Sequence, residues 1–260
     1  MDLWLTGKTA LITGGSSGIG LVVARKLMTE GCRVAICGRD KSKLEKAVMS
    51  LNSPAVKGFV ADICEPMQVE TLIQDVVKSF AGIDIVVSNA GTHLPGRVDE
   101  ISSDQLCRHF RTKVTGAWDL ARCVAPLMKE KGTGRFIVII GQAGKVPQAN
   151  AIASAVVNAA QHAFVKSLSD ELAPFGILVN AVCPSRIISP LTEGLALHNE
   201  IYLGRSLDQQ ESRWGAEVPL GHWGTPEDVA NAVVFLASKR AEFIVGTNID
   251  VDGGHQRSIF

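Results

Sequence analysis

Short apolar segments alternate with longer segments of helical periodicity along the chain. Apolar runs that predict strands lie at residues 9–13, 33–37, 59–61, 83–88, 136–140, 178–182 and 248–251. Segments with the 3.6-residue spacing of helices lie at residues 21–30, 40–51, 67–80, 103–131, 151–172 and 226–237. Strands that are joined through helices pair in parallel, because a parallel connection needs a long crossover.

The strand segments are continuously apolar, which is typical of strands covered by helices on both faces. We therefore predict a Rossmann-type α/β fold, a doubly wound and mostly seven-stranded parallel sheet. No linker, charge block or repeat interrupts the pattern, so residues 1–260 are expected to form one domain. Residues 189–221 lack clean periodicity and are interpreted as a substrate lid. The alternative is an excursion that contacts another subunit.

Composition excludes several classes of function. Lys plus Arg and Asp plus Glu both number 26, and this balance gives no basic excess to favour nucleic acid or an anionic membrane surface. The N-terminus does not have the pattern of a signal peptide, and no apolar run is long enough to span a membrane. The six cysteines are scattered and are expected to be mostly buried free thiols in a cytoplasmic protein. No cluster has metal-ligand spacing, so no metal is expected.

A glycine-rich turn follows the first strand and opens the first helix. It reads Thr-Gly-Gly-Ser-Ser-Gly-Ile-Gly at residues 13–20. In this context Gly14 allows the tight turn, Gly18 lets the backbone approach a pyrophosphate, and Gly20 permits close packing of helix on sheet. Exposed N–H groups and the helix dipole favour the anion. The candidate cofactor residues of this turn are Gly14, Ser16, Ser17, Gly18, Ile19 and Gly20.

The ends of the next three strands carry further candidate cofactor residues. After the second strand, Gly38 occupies the place of the acidic residue that would bind the ribose 2′-hydroxyl of NAD, and Arg39 follows it. A guanidinium can grip a 2′-phosphate, so NADP(H) is favoured over NAD(H). The remaining candidates are Asp62 and Ile63 after the third strand, with Asp62 placed to bind the adenine amine, and Asn89, Ala90 and Gly91 after the fourth.

These motifs together resemble the short-chain dehydrogenase/reductase family over nearly the whole chain. Residues 13–20 look like its T-G-x-x-x-G-I-G, residues 89–91 its N-A-G, residues 180–184 its N-x-V-x-P, residues 224–230 its G-x-P-E-D-V-A and residues 246–254 its G-x-x-x-x-V-D-G-G ending. Ser185 replaces the usual glycine after that proline. The resemblance implies a seven-stranded sheet, NAD(P)(H) binding, and homodimers or homotetramers built on helix–helix contacts. It also implies that Pro184 and Ile188 hold the nicotinamide carboxamide, with Ser189 in place of a threonine.

The catalytic residues of that family are not found at the expected spacing. Family members use a Tyr-x-x-x-Lys pair on a long helix, a serine thirteen positions earlier and an asparagine on the preceding helix. The lysine's charge lowers the pKa of the tyrosine, which donates a proton to the carbonyl oxygen. This chain has one tyrosine, Tyr202, and no Tyr-x-x-x-Lys sequence.

The long helix of the family typically continues into K-S-L, which stands at residues 166–168 here and sets the register between this chain and the family. It places Ser154 at the tyrosine position, Asn158 at the lysine position, Gly141 at the serine position and Lys113 at the asparagine position. All four family residues are therefore expected to be replaced. Ser154 and Asn158 are four residues apart and share a helix face, and Lys113 is expected to approach Asn158 from the neighbouring helix.

Several roles remain open for these side chains. Lys113 is hypothesised to hydrogen-bond Asn158 and either to bind a substrate anion or to act as an acid or base. The alternative is that Lys113 and Asn158 only satisfy each other's hydrogen-bonding groups in a relic site. Ser154 is either a hydrogen-bond donor to a ligand or a small residue that fills space. Tyr202 could instead fold in from the lid as a substitute acid.

Two further side chains belong to the candidate catalytic pocket. His93 follows the fourth strand, at the ligand end of the sheet, where it could donate a proton near pH 7; the alternative is a solvent-facing loop histidine. Gln142 follows the fifth strand and could supply a donor where the family has a serine hydroxyl. Lys145 lies on the same loop, and Arg205 and Arg213 of the lid could meet an anionic substrate.

Three functions are compatible with this sequence. The first is an NADP(H)-dependent oxidoreductase that acts on a carbonyl or CH–OH group with a non-standard active site. The second is a catalytically inactive dinucleotide-binding or scaffold homologue. The third is lyase or isomerase chemistry in the same pocket. The expected partners are a small-molecule substrate, for which an anion is one candidate, and further copies of the chain.

Overall fold

The computed structural model describes residues 2–189 and 215–257. Seven parallel strands form one sheet in the order β3-β2-β1-β4-β5-β6-β7. The strands are β1 Thr9–Thr13, β2 Arg33–Gly38, β3 Val56–Val60, β4 Ile85–Ser88, β5 Gly134–Ile139, β6 Ile177–Pro184 and β7 Asn248–Val251. The strand order reverses between β1 and β4, and a ligand crevice is expected at the carboxyl ends of the strands there. The predicted doubly wound fold is confirmed.

Helices cover both faces of the sheet. They are α1 Gly18–Thr29, α2 Lys41–Leu51, α3 Pro66–Phe80, α4 Ser103–Phe110, α5 Gly116–Lys131, α6 Ile152–Leu172 and α7 Pro226–Ala237. Neighbouring strand residues point to opposite faces. Ile12 packs in the cluster that includes α1, α2 and α7, whereas Leu11 packs in the cluster that includes α3, α5 and α6. Two apolar layers therefore hold the strand ends, and the residues that follow them, in fixed positions.

One predicted helix is interrupted. Residues 103–131 were expected to form a continuous helix, but the π-helical segment Arg111–Thr115 separates α4 from α5. The side chain of Gln161 on α6 donates to the backbone oxygen of Lys113 within this segment, at 3.0 Å. Gly116 follows it, where an added Cβ would lie 3.1 Å from the backbone oxygen of Ile63. The π segment, whose helical turn is wider than that of an α-helix, thus packs against α6 and the loop between β3 and α3. Such π segments often occur at functional sites.

The other boundaries differ from prediction by a few residues. The third strand was expected at residues 59–61 and begins at Val56. It lies at the edge of the sheet, where exposed polar residues such as Lys57 interrupt the apolar pattern. Within the two described ranges, none of the helices is long and apolar enough to cross a membrane.

Candidate functional site

The glycine-rich turn between β1 and α1 requires glycine for its backbone angles at two positions and for space at a third, Gly20. Gly14 and Gly18 have positive φ angles of 64° and 53°. A Cβ at Gly20 would lie 2.4 Å from the backbone oxygen of Gly14 and 2.5 Å from Nδ2 of Asn89. Gly20 therefore brings α1 against the turn, as the sequence predicts, and does not itself line the cleft described below.

Asn89 fixes the shape of this turn from the end of β4. Its Nδ2 donates to the backbone oxygens of Thr13 and Gly14, at 3.0 and 3.2 Å. In return, Oγ1 of Thr13 accepts from the backbone N–H groups of Asn89 and Ala90, both at 3.1 Å. Asn89 thus ties two strand ends together across the point where the strand order reverses. Thr13 therefore helps to shape the turn, a role that the sequence did not indicate.

A cleft of about 340 Å³ opens at the carboxyl ends of β1, β2 and β4. Most of the cofactor residues predicted from the sequence line it: Gly14, Ser16, Ser17, Gly18, Ile19, Gly38, Arg39, Asp62, Ile63, Asn89, Ala90 and Gly91. Pro184 and Ile188 are not among the lining residues, although Ser189 is. Residues that the sequence did not single out also line it: Cys37, Asp40, Lys43, Ala61, Thr92 and Thr112.

The β2 end of the cleft combines a glycine with two cations. Arg39 lies 3.6 Å from the carboxylate of Asp62, and its side chain is 65% exposed. Such an exposed pair is weak, so the guanidinium can turn to a ligand at little cost. Asp40 accepts from the backbone N–H of Lys43 and thereby caps α2. The carboxylate of Asp40 is thus held at the helix start, and Arg39 and Lys43 are the cations at this end.

A second polar group lies where the π segment meets α6. Nζ of Lys113 donates to Oδ1 of Asn158 at 2.7 Å, as the sequence predicts. A Cβ on Gly91 would lie 2.9 Å from Cε of Lys113, so the missing side chain of this glycine leaves space for the side chain of the lysine. A Cβ on Gly141 would lie 2.9 Å from Nδ2 of Asn158. Two glycines therefore make room for the lysine–asparagine contact.

The electrostatics of Lys113 are set by burial. Loss of solvation lowers the pKa of its ammonium from 10.5 to about 8. The same cause lowers the pKa of the buried His109 imidazole to about 4, and the charges of Lys113 and His93 add to that shift. The charges of Lys113 and His93 thus both act on His109 of α4. An ammonium with a pKa of about 8 can hold or release a proton near neutral pH.

Ser154 joins the loop after β4 to α6. The backbone N–H of Leu94 donates to Oγ of Ser154 at 3.4 Å, and Nδ1 of His93 lies 3.4 Å from the same oxygen. Ser154 is buried and His93 is half-buried. His93 therefore contacts α6 and is not a fully exposed loop histidine.

Gln142 makes contacts within the protein that differ from its predicted role. Its Oε1 lies 2.8 Å from Nδ1 of His255, and its Nε2 donates to Asp252 at 3.4 Å. Lys145 is bound to Asp250 at 2.7 Å. The loop after β5 is thus fastened to the C-terminal segment. Gln142 therefore bonds within the protein because the C-terminal segment lies beside this loop, a position that sequence patterns do not predict.

Some predicted features lie outside the described residues. Of the lid predicted at residues 189–221, only residue 189 and residues 215–221 are described, and Tyr202, Arg205 and Arg213 are not. In the described parts of the chain, no group of three or more His, Cys, Asp or Glu side chains could hold a metal ion.

Comparisons with known proteins agree with this architecture. A family model described as enoyl-(acyl carrier protein) reductase matches residues 14–256. The chain is 32% identical over 251 residues to an uncharacterized oxidoreductase of Mycobacterium tuberculosis, covering 96% of this chain and 97% of that protein. It is also 32% identical over 253 residues to a 3-oxoacyl-(acyl-carrier-protein) reductase of Staphylococcus aureus, covering 95% and 97%.

Two solved structures are similar over almost the entire chain. One is a variant of actinorhodin polyketide ketoreductase with NADPH, at 31% identity and a TM-score of 0.93, covering 96% of this chain and 98% of that one. The other is L-sorbose reductase from Gluconobacter frateurii complexed with NADPH and L-sorbose, at 31% identity and a TM-score of 0.94, with all of both chains covered. The protein belongs to the short-chain dehydrogenase/reductase family.

Proposed function

We propose that this protein is an NADP(H)-dependent oxidoreductase that interconverts a carbonyl group and an alcohol, with a non-standard set of catalytic residues. The cleft supports the cofactor assignment. Residues of the turn and of the start of α1, among them Gly14 and Gly18, line the cleft, and the backbone N–H groups of a helix start suit a pyrophosphate. The nicotinamide group, when bound, supplies or accepts the hydride. The two similar structures that contain NADPH support the same assignment.

The β2 end supports NADP(H) over NAD(H). Gly38 brings no carboxylate to the place where NAD-binding proteins hold the ribose 2′-hydroxyl. Arg39 is weakly paired and can bind a 2′-phosphate with two parallel hydrogen bonds. Lys43 adds a second cation at the same edge of the cleft.

Spatial proximity supports the assignment of Gly141, Ser154, Asn158 and Lys113 to the family's catalytic positions. Gly141 and Lys113 both meet the side chain of Asn158. Ser154 lies one helical turn before Asn158 on α6. The four residues therefore belong to one locality, as the family's serine, tyrosine, lysine and asparagine must.

The contact between Lys113 and Asn158 is the observation that carries this proposal. In this register, the lysine and the asparagine of the family have exchanged helices, so the site keeps a cation. Lys113 stabilises negative charge that develops on the substrate oxygen, and Asn158 holds its ammonium in place at 2.7 Å. The lowered pKa of about 8 leaves this group mostly charged at pH 7.

We further propose an anionic carbonyl compound as the substrate. His93, His109 and Lys113 are three basic groups close enough for their charges to interact. No described carboxylate contributes to the pKa shift of Lys113, which is mostly charged at pH 7, so a ligand anion would balance this cation. A carboxylate or phosphate on the substrate fits that requirement.

A nucleotide-binding protein without turnover is the second candidate function, because all four family positions are substituted in the proposed register. NADPH absorbance, followed with a panel of neutral and anionic ketones and aldehydes, separates the two. We expect consumption with the anionic members and a loss of at least about 10²-fold in Lys113→Ala. NADPH binding without consumption across the panel would favour the second function.

We also propose that the chain forms a homodimer or homotetramer through the outer face of α5 and α6. An apolar groove of about 540 Å³ lies between these helices, and alanines at positions 121, 125, 160 and 163 line it. Trp118 also lines it and is 58% exposed. Its ring lies 6.1 Å from that of Phe164. A two-fold related copy can seat its tryptophan among these small residues, since such interfaces are self-complementary.

A further inference from the structure

The loop that carries His93 is tied to the scaffold at four points. Its first residues bind Thr13 through the Asn89 and Ala90 N–H groups. Oγ1 of Thr92 lies 3.2 Å from Nδ1 of the buried His109 on α4. Leu94 then donates to Ser154. Finally, the backbone N–H of Gly96 donates to the oxygen of Asn150 at 2.8 Å, just before α6. A side chain in the middle of this loop is therefore held in a fixed position.

His93 makes its contact with α6 through Ser154, the residue that the proposed register puts in place of the family's tyrosine. A serine is much shorter than a tyrosine, and the imidazole of His93 occupies space beside its hydroxyl. The ring thus brings a titratable group to a position where the serine itself has none. An alkyl hydroxyl cannot serve as the acid, because its pKa lies far above that of a phenol.

The contact with Ser154 suits the tautomer that this chemistry needs. Oγ of Ser154 accepts from the N–H of Leu94, and its second lone pair can accept from Nδ1–H of His93. Nδ1 of neutral His93 then carries the hydrogen, and Nε2 is the ring nitrogen that can take a proton. The distance of 3.4 Å is long for a hydrogen bond, and such contacts often tighten when substrate binds.

We propose that His93 is the proton donor of the reduction and that Ser154 is the residue that positions it. This inference rests on the proposed oxidoreductase function. As the carbonyl carbon receives a hydride, the C=O π pair moves to the oxygen. That oxygen takes the proton of Nε2, whose N–H bond pair stays on the ring, so the imidazolium becomes neutral imidazole. In the oxidation direction, neutral His93 takes the proton of the alcohol.

Two other basic groups lie near this loop. Lys113 of the π segment is mostly charged at pH 7, whereas burial lowers the pKa of His109 on α4 to about 4 and leaves it neutral there. Since the protonated form of His93 is the proposed donor, the reduction rate is expected to fall as the pH rises and His93 loses its proton.

The experiment compares His93→Gln and Ser154→Ala with the parent, and uses His222→Gln as a control. His222 is an exposed histidine near α7 whose ring binds the backbone of Trp223. We expect His93→Gln to lower kcat by about 10²–10⁴-fold and to remove the pH limb assigned to His93. Ser154→Ala should reduce kcat less and shift that limb. Addition of imidazole should partly restore a His93→Gly variant.

Nitrogen-15 NMR of the histidine rings gives a readout that does not depend on turnover. We expect Nε2 of neutral His93 to be unprotonated in the parent, and this tautomer preference to be lost in Ser154→Ala. An active parent whose kcat and pH profile survive in His93→Gln would overturn this inference and leave the oxidoreductase function intact. A His93 signal indifferent to Ser154→Ala would overturn the positioning role. A parent that binds but never consumes NADPH would overturn both proposals.

Discussion

Nζ of Lys113 and Oδ1 of Asn158 lie 2.7 Å apart, and the two residues come from different helical segments. The contact depends on the π segment Arg111–Thr115, which shifts Lys113 relative to a regular helix. It also depends on Gly141, whose missing side chain leaves space for the amide of Asn158. The cation of the site is therefore a product of three features that are distant in sequence.

Burial of Lys113 makes the stability of the protein depend on pH. The pKa of the amine is about 8 in the folded chain and near 10.5 when solvated. Between these pH values the unfolded chain binds more protons, so the parent gains stability as the pH rises. Lys113→Met lacks this gain. The free energy of unfolding of the variant minus that of the parent should therefore fall between pH 8 and pH 10.5.

Urea denaturation at several pH values measures that difference. Lys166→Met is a suitable control, because Lys166 lies on α6 with a side chain 63% exposed. A difference between Lys113→Met and the parent that stays constant from pH 7 to 10.5 would contradict the burial of a charged amine.

Arg39 should decide the choice of cofactor. Its replacement by alanine removes a charged hydrogen-bond donor from the 2′-phosphate, a loss of about 1.5–3 kcal/mol, or roughly 10- to 150-fold in NADPH affinity. NADH affinity should hardly change. Fluorescence titration with both nucleotides measures this, with the exposed Arg25→Ala on α1 as the control. Equal losses for NADPH and NADH would count against a 2′-phosphate contact.

Gly20 should be intolerant of a side chain. A Cβ there would meet the backbone oxygen of Gly14 at 2.4 Å and Nδ2 of Asn89 at 2.5 Å. We expect Gly20→Ala to cost about 1–3 kcal/mol of stability and to weaken NADPH binding, because the turn must shift. Thermal denaturation and nucleotide titration check both effects. Gly215→Ala, whose nearest neighbour would be 3.7 Å away, should leave them unchanged; matching losses there would refute the steric argument.

Trp118 should be required for self-association. Trp118→Glu puts a charge on the proposed α5–α6 interface, and sedimentation velocity should show a smaller species than for the parent. Met67→Glu places the same charge at another exposed apolar residue, 80% exposed on α3, and should keep the parent's state. A parent that is already monomeric would refute the interface.

Much of the scaffold could be predicted from local patterns. The start of α7 shows why, since Thr225 and Asp228 form a capping box and Pro226 occupies the first turn. The glycine-rich turn is equally local, because Gly14 and Gly18 meet their conformational demands within a few residues. The bounds of the edge strand β3 were harder to predict, since exposed residues weaken its apolar pattern.

The chemistry of the site depends on contacts that no local pattern contains. The π segment differs from a regular helix by one residue per turn, and the partner of its Lys113 carbonyl is Gln161 from another helix. The contact of His93 with Ser154 depends on how the loop crosses α6, which Gly96 and Asn150 help to set. The hydrogen-bond partners of Gln142 lie in the C-terminal segment, more than a hundred residues away in sequence.

Transfer of deuterium tests the oxidoreductase function most directly. NADPH carrying deuterium at the nicotinamide C4 position is incubated with the protein and an anionic carbonyl substrate, and the product is analysed by mass spectrometry. The proposed function predicts an alcohol with one deuterium at the former carbonyl carbon, and less of it from Lys113→Ala. NADPH that binds the cleft but delivers no deuterium to any substrate in the panel would contradict it.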